Sequence, residues 1–435
     1  MKIIVAGAGF GGLQAAKMLA AKGHEVTIYE RASEDEIGYN CFDDVDYKIV
    51  SDVGIKLPEG SYRSEDLTLI PPFTEDNITV SVPQEQRPWR VNRRKLQTQM
   101  IKEAVAKGAK IIYNTACRKL IIKGDKIGGI IAGAEKEKIY CDFVIDSCGI
   151  TSPLKRSLPD EFDIMKEPGE QEYFSSFRGI FDSYPDVPLP KQKNKLFVKF
   201  MGQSGFSRVI VEPDGKIDVF ISKLGKMSRF EFETLFRQLR IENQFIGYED
   251  LEKGRFAKIP TRFPLTKMVA DGYAAVGDSA FMASAMLGRG IGDAIKGGQI
   301  LADTVIESGD VTAKSLWKYQ LTYFRQVSAE RFAYDSMRRA LFASKSDEIR
   351  FLLEGGFLSQ EELKAVILGK GLSSSAGFVL SKFSVGRRKF KYYVEVVKSL
   401  SRGKKAVALA SQIPNRYERG RVNSWQSKIS DLYKD

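Results

Sequence analysis

Histidine is nearly missing from this 435-residue chain: His24 is its single copy, so no cluster of imidazoles can hold a metal ion. Cysteine is scarce as well. Cys41, Cys117, Cys141 and Cys148 form no CxxC pair, which argues against both a zinc site and a disulfide framework and points to a reducing, cytoplasmic setting. No stretch approaches the roughly 18 uninterrupted apolar residues of a membrane-spanning helix. The apolar opening, residues 1–23, is broken by Gln14 and Lys17, so it reads as fold rather than as a targeting signal. Negative charge is in deficit, with a formal net charge of +12, and 43% of residues are hydrophobic, enough to bury a substantial core.

What the chain does have begins at once. Lys2 to Ala6 reads as a short buried strand, Gly7-x-Gly9-x-x-Gly12 follows directly, and Leu13 to Lys22 has helical spacing. A second strand, Glu25 to Glu30, ends in an acid about 20 residues after the glycines. Gly7 suits the tight turn, Gly9 lets backbone approach a pyrophosphate, and Gly12 lets helix and strand pack closely, while Glu30 is placed to accept hydrogen bonds from a ribose. Ala8, Phe10, Gly11 and Arg31 complete the segment expected around a dinucleotide. A glycine-rich turn with no ligand is the bland alternative; the ordered sequence of strand, glycines, helix, strand and acid argues against it.

This fingerprint serves NAD and FAD equally. A second cluster separates them. Asp271 to Ala280 reads as a turn, a buried strand, and then Gly277-Asp278 at the strand's carboxyl edge, where ligands of open α/β sheets sit. Gly288-Arg289-Gly290-Ile291 then opens a long helix whose amides suit a developing anion such as the N1–C2=O2 edge of reduced flavin. FAD is therefore the expected cofactor. No second dinucleotide fingerprint occurs, and Gly124, Gly128, Gly129 and Gly133 look like hairpin turns, so electrons are expected from transiently bound NAD(P)H or from a ferredoxin-type carrier.

On these motifs, together with Val91-Asn92-Arg93-Arg94-Lys95-Leu96 and Ile37-Gly38-Tyr39-Asn40-Cys41-Phe42-Asp43-Asp44, the sequence resembles the geranylgeranyl reductase family within the p-hydroxybenzoate-hydroxylase-like flavoproteins. The resemblance spans about residues 1–330. It implies that Arg93 touches the ribityl or diphosphate region, that Cys117 and Arg118 run beside the adenine, and that the segment carrying Cys41 returns toward the flavin ring. The chain departs from the pattern at Asp146-Ser147-Cys148-Gly149-Ile150-Thr151-Ser152, where the usual acid is shifted or replaced, and at Ala285-Met286-Leu287, which lacks a proline. The family's aromatic substrate signature is only echoed, by residues 206–213.

The expected fold class is α/β: a Rossmann-like FAD-binding domain (1–70, 90–158, 259–330), a mixed or antiparallel substrate sheet (71–89, 159–258), and a basic helical C-terminal region (331–435). Strands are expected at residues 196–200 and 216–221, and an amphipathic helix at 229–243. The expected activity is reduction of carbon–carbon double bonds in a prenyl or other hydrophobic substrate. A flavin monooxygenase and an electron-relay flavoprotein are the alternatives; halogenation is disfavoured because no Trp-x-Trp-x-Ile-Pro occurs. Cys41, Tyr39 and Asp43 are the candidate catalytic residues, with Cys41 preferred. The competing readings are a buried inert thiol for Cys41 and solvated loop acids for Asp43 and Asp44. No metal is expected. The stretch around 390–397 is a candidate for docking on an anionic membrane surface, a peripheral attachment, or else a helix packed on the core. Nucleic acid is not an expected partner, since no recognised module accompanies the charge.

Overall fold

A computed structural model describes residues 1–286, 288–369 and 376–434. Its first sheet has six strands in the order Val269–Ala270, Tyr273–Ala275, Phe143–Asp146, Lys2–Ala6, Glu25–Tyr29, Lys110–Ile112. All neighbours are parallel except the first pair. Such strands are covered on both faces and read as continuous apolar runs, as Ile3, Ile4 and Val5 do, each fully buried. Two helices lie over this sheet: Phe10–Ala21, which follows the first glycine cluster, and Ile291–Ser308, which follows the second. They cross in backbone contact. A Cβ on Gly298 would stand 2.1 Å from the carbonyl oxygen of Gly11, so only glycine allows the approach. That crossing brings the two helix N-termini to one place.

The second sheet has eight strands and is built from Leu67–Ile70, Ile78–Val80, Tyr173–Ser183, Asn194–Val198, Phe206–Val211, Ile217–Leu224, Ile246–Asp250 and Arg255–Pro260. Alternation along its strands sorts the residues by face. Phe177, Val209, Val211, Ile217, Val219 and Ile221 form one core with Leu235 and Leu239 of the helix Arg229–Glu242. That helix begins as its sequence predicts: Ser228 accepts from the Glu231 amide at 3.2 Å, and the Glu231 carboxylate accepts from the Ser228 amide at 2.8 Å. The opposite face, carrying Phe174, Ser176, Arg178, Phe206, Arg208, Asp218, Phe220 and Ser222, turns toward the first sheet and lines a cavity.

The expected boundaries shift at three places. Leu67–Ile70 belongs to the second sheet, pairing in parallel with Asn194–Val198, a partner more than 120 residues away. The chain leaves that sheet after Pro260, not at Ile259, since Arg255–Pro260 still pairs with Tyr173–Arg178. No break occurs near 330: helix Ala313–Tyr323 continues through a π segment, Phe324–Ser328, into helix Ala329–Ala343. The shift to basic composition marks a change of surface there, not the end of an element. Fully buried Arg338 anchors this helix by donating to Asp335 at 2.7 Å and to the Gln171 carbonyl at 2.9 Å.

Candidate active site

One cavity of about 1200 Å³ collects nearly every residue singled out from sequence: Gly7, Ala8, Gly9, Phe10, Gly11, Glu30, Arg31, Tyr39, Cys41, Asp43, Arg93, Cys117, Gly277, Asp278, Gly288, Gly290 and Ile291. Gly12 lies behind its wall, where a Cβ would stand 2.7 Å from that of Ser147 and 2.8 Å from Val5; its part is helix-to-strand packing. Leu287, beside the second glycine cluster, lies outside the described residues.

At one end, Glu30 braces the glycine turn. Its Oε2 accepts from the Ala8 amide at 2.8 Å and its Oε1 from Ala32 at 2.9 Å. Each carboxylate oxygen keeps a further lone pair for a ribose hydroxyl. Gly9 stands so close to the loop after Phe143–Asp146 that a Cβ would meet Ser147 Oγ at 2.4 Å and its carbonyl oxygen at 2.9 Å. Cys117 and Cys148 share this wall, and Cys148 is pushed far up by a hydrogen bond to Cys117 and by burial. Asp146, part of the segment that departs from the family pattern, is a fully buried hub. It accepts from Tyr273 Oη at 2.8 Å, Ser279 Oγ at 3.0 Å and the Cys148 amide at 3.0 Å, tying the two turns together.

Further along, Asp278 faces the cavity with no side-chain hydrogen bond among the described residues. Burial pushes its carboxyl up, with Arg93 and Lys155 pulling the other way. Lys155 itself is fully buried, donates to the Ser279 carbonyl at 2.8 Å and is brought down to about 8 by burial. Arg93 donates to Asp43 at 3.0 Å and lies 5.4 Å from the centre of the Phe10 ring. Gln97, not foreseen from sequence, donates to the Ala8 carbonyl at 2.7 Å. It stands four residues after Arg93 on the helix Arg93–Ala106, a spacing that places both on one face, and this periodicity was the available signal.

Asp43 and Asp44 are not solvated loop acids. They sit on the strand Phe42–Val45, paired with Trp89–Asn92 in a separate three-stranded sheet, and join an ionic network that clamps this small sheet to the eight-stranded one. Asp44 takes Arg90 at 3.2 Å and Arg208 at 3.0 Å; Asp218 takes Arg90 at 2.9 Å and Arg178; Asp43 takes Arg93 and Arg178; Glu212 takes Arg90 and Tyr62. Burial would raise Asp43, but Arg178 and Arg93 outweigh it and hold the carboxyl down to about 2. Asp43 is thus held in its ionised form between the two guanidiniums. Cys41 behaves oppositely: it is buried with Tyr39 and Ile180, and burial pushes its thiol up to about 12. The Tyr39 hydroxyl is already used, donating to the Arg178 carbonyl at 3.2 Å.

Toward the eight-stranded sheet the cavity gains an apolar wall beside its charged residues. Phe174, Phe206 and Phe220 line it with Leu196, Ile210 and Val80. Phe342 of the C-terminal helices packs against two of these rings, its centre 5.5 Å from Phe174 and 4.9 Å from Phe206. Ile367, at the end of helix Gln360–Ile367, adds to the wall.

These features agree with what the chain is similar to. The model for NAD(P)-binding Rossmann-like domains matches residues 5–65. A digeranylgeranylglycerophospholipid reductase of Sulfolobus acidocaldarius is 22% identical over 374 residues, 83% of this chain and 82% of that protein. A geranylgeranyl bacteriochlorophyll reductase-like protein of Thermoplasma acidophilum superposes with a TM-score of 0.71 at 17% identity, over 92% of this chain and 98% of that one. A probable FAD-dependent monooxygenase of Pseudomonas aeruginosa superposes with a TM-score of 0.56 at 19% identity, over 81% and 98% of the two chains. The fold is therefore that of the FAD-dependent oxidoreductases. Within that class, the resemblance to the geranylgeranyl reductase family read from the motifs is borne out by these relatives.

Proposed function

We propose that this chain is an FAD-dependent reductase that saturates carbon–carbon double bonds of a prenyl or other hydrophobic substrate. One observation carries this reading: a single cavity runs from the glycine cradle to a wall of Phe174, Phe206 and Phe220, with the protonated Cys41 thiol on its lining. The site fits FAD on its own terms. Glu30 has acceptor capacity for a ribose, Asp278 makes no side-chain hydrogen bond among the described residues and suits a polyol hydroxyl, and Gly9 lies so close to Ser147 that no side chain fits between the glycine turn and that wall. When bound, FAD supplies hydride chemistry from its reduced ring.

The chain's own residues do the rest. The N-terminal amides of helix Ile291–Ser308 meet negative charge developing beside them. The phenylalanine wall orients an apolar chain and excludes water. Cys41, uncharged at neutral pH, holds a proton at Sγ for the second carbon of the double bond, and the paired arginines and aspartates keep its strand in place. Electrons come from NAD(P)H or a ferredoxin-type carrier. Anaerobic incubation of the reduced protein with a polyprenyl lipid extract should add two daltons per double bond by mass spectrometry. Oxygenated products alone would replace this reading with the monooxygenase one.

The protein is further proposed to meet an anionic membrane surface. Tyr392 and Tyr393 of the basic stretch are buried, so the docking face lies beside them: Leu380, Phe383 and Phe390 are half exposed or more and stand next to exposed Arg387, Arg388 and Lys391. Among the described residues no helix is long and apolar enough to cross a membrane. Flotation with anionic vesicles but not neutral ones is the expected result; absence from both would end the idea.

A further inference from the structure

Cys117 and Cys148 line the cavity at the end braced by Glu30, beside Gly7. Cys117 opens the strand Cys117–Lys123, and Cys148 lies in the loop after Phe143–Asp146. Their side chains meet in a hydrogen bond, and that contact, with burial, keeps the proton on the Cys148 thiol. Both thiols are free. Two thiols facing each other on a cavity wall form a dithiol within reach of small solutes that enter it. The two backbones differ in freedom. Cys148 is pinned: its amide donates to Asp146 at 3.0 Å, the Gly149 amide donates to Ser279 Oγ at 2.9 Å, and a Cβ on Gly7 would stand 3.2 Å from the Cys148 Cα. Cys117 is held less firmly, since it stands at the end of its ladder opposite Ala132, just past the register shift between Ile131 and Ala132.

We propose that Cys117 and Cys148 are a redox-active pair whose oxidation to a disulfide narrows this end of the cavity and weakens FAD binding. This rests on the reading of the cavity as an FAD site and adds a control over its occupancy. The oxidant is a peroxide. The Cys117 sulfur, which the Cys148 proton faces, attacks the O–O bond and becomes a sulfenic acid as one water leaves. The Cys148 sulfur then displaces the sulfenic hydroxyl, which departs with the Cys148 proton as a second water while the S–S bond forms. Two thiols and one hydrogen peroxide thus give one disulfide and two waters, and a dithiol reductant reverses the bond by exchange. Closing the bond draws the sulfurs from hydrogen-bond separation to covalent contact. Because Cys148 is pinned, the movement falls on Ala116 and Cys117, which shift toward the glycine turn and narrow the seat between them.

The test uses the full-length protein, reduced and then treated with hydrogen peroxide. Titratable thiols of the denatured chain should fall from the four of the sequence by a pair, and peptide mapping should join the peptides that carry Cys117 and Cys148. Followed by flavin fluorescence, the oxidised protein should bind FAD about tenfold more weakly or worse, and dithiothreitol should restore the affinity. In Cys117→Ala and in Cys148→Ala, peroxide should leave FAD affinity where it was, which separates this pair from oxidation at Cys41. The comparison of oxidised with reduced wild type stands even where a variant folds poorly. Retention of all thiols, a link through Cys41 or Cys141 instead, or a link between Cys117 and Cys148 with FAD affinity unchanged overturns the proposal. Reduced protein that takes up no FAD while Cys117 and Cys148 still join refutes the FAD reading and leaves the redox pair standing.

Discussion

Replacing Asp43 by Asn takes one carboxylate from between Arg93 and Arg178. Burial by itself raises this carboxyl, yet the two guanidiniums hold it down to about 2 against an ordinary 3.8. A depression of that size is worth about 2.5 kcal/mol of folding free energy. Because the folded value lies below the unfolded one, the contribution is complete above about pH 4 and is lost as pH falls toward 2. Urea denaturation of both proteins at pH 7 and at steps between 4 and 2 reads it directly. Asp43→Asn should be less stable at pH 7 by about 2 kcal/mol or more, and its stability should fall less steeply in the acid range. Equal stability at pH 7 with parallel acid profiles would refute the reasoning. The flavin-to-protein ratio of the variant shows whether the clamp also sets the cofactor region.

Gly9→Ala should cut FAD retention by about tenfold or more, because the new methyl meets Ser147 from both its Oγ and its carbonyl; equilibrium dialysis checks it. Cys41→Ala should keep its flavin and lose turnover by roughly a hundred- to ten-thousandfold in a single-turnover assay of double-bond reduction, whereas unchanged turnover would return the thiol to an inert packing role. Arg90→Met leaves buried Glu212 without a cation and takes one of two arginines from Asp44 and from Asp218, and should cost about 3–5 kcal/mol by thermal denaturation; a loss under about 1 kcal/mol would show that the network does not clamp the small sheet to the eight-stranded one.

The cofactor cradle was legible because its logic is local. Strand, turn, helix and acid follow one another within 30 residues, and the same holds for the run from Tyr273 to Ile291. The clamp was not. Asp43 and Asp44 look like loop acids until Phe42–Val45 pairs with Trp89–Asn92 and arginines 46 to 164 residues away close on them. Leu67–Ile70 was assigned to the wrong sheet for a similar reason, since parallel pairing with Asn194–Val198 leaves no mark in the nearby sequence. Asp146 looked misplaced against the family pattern because its partners, Tyr273 and Ser279, lie more than 120 residues ahead. The membrane candidate moved from residues 390–397 to the neighbouring Leu380 and Phe383 because Tyr392 and Tyr393 turn inward, which composition cannot show.

Titration of FAD into flavin-free protein, followed by flavin fluorescence, tests the central claim that both glycine clusters grip one cofactor. One FAD per chain is predicted, with Gly9→Ala at one end and Asp278→Ala at the other each weakening binding. A protein that takes up no FAD, or that binds it equally well with both ends altered, would contradict the account.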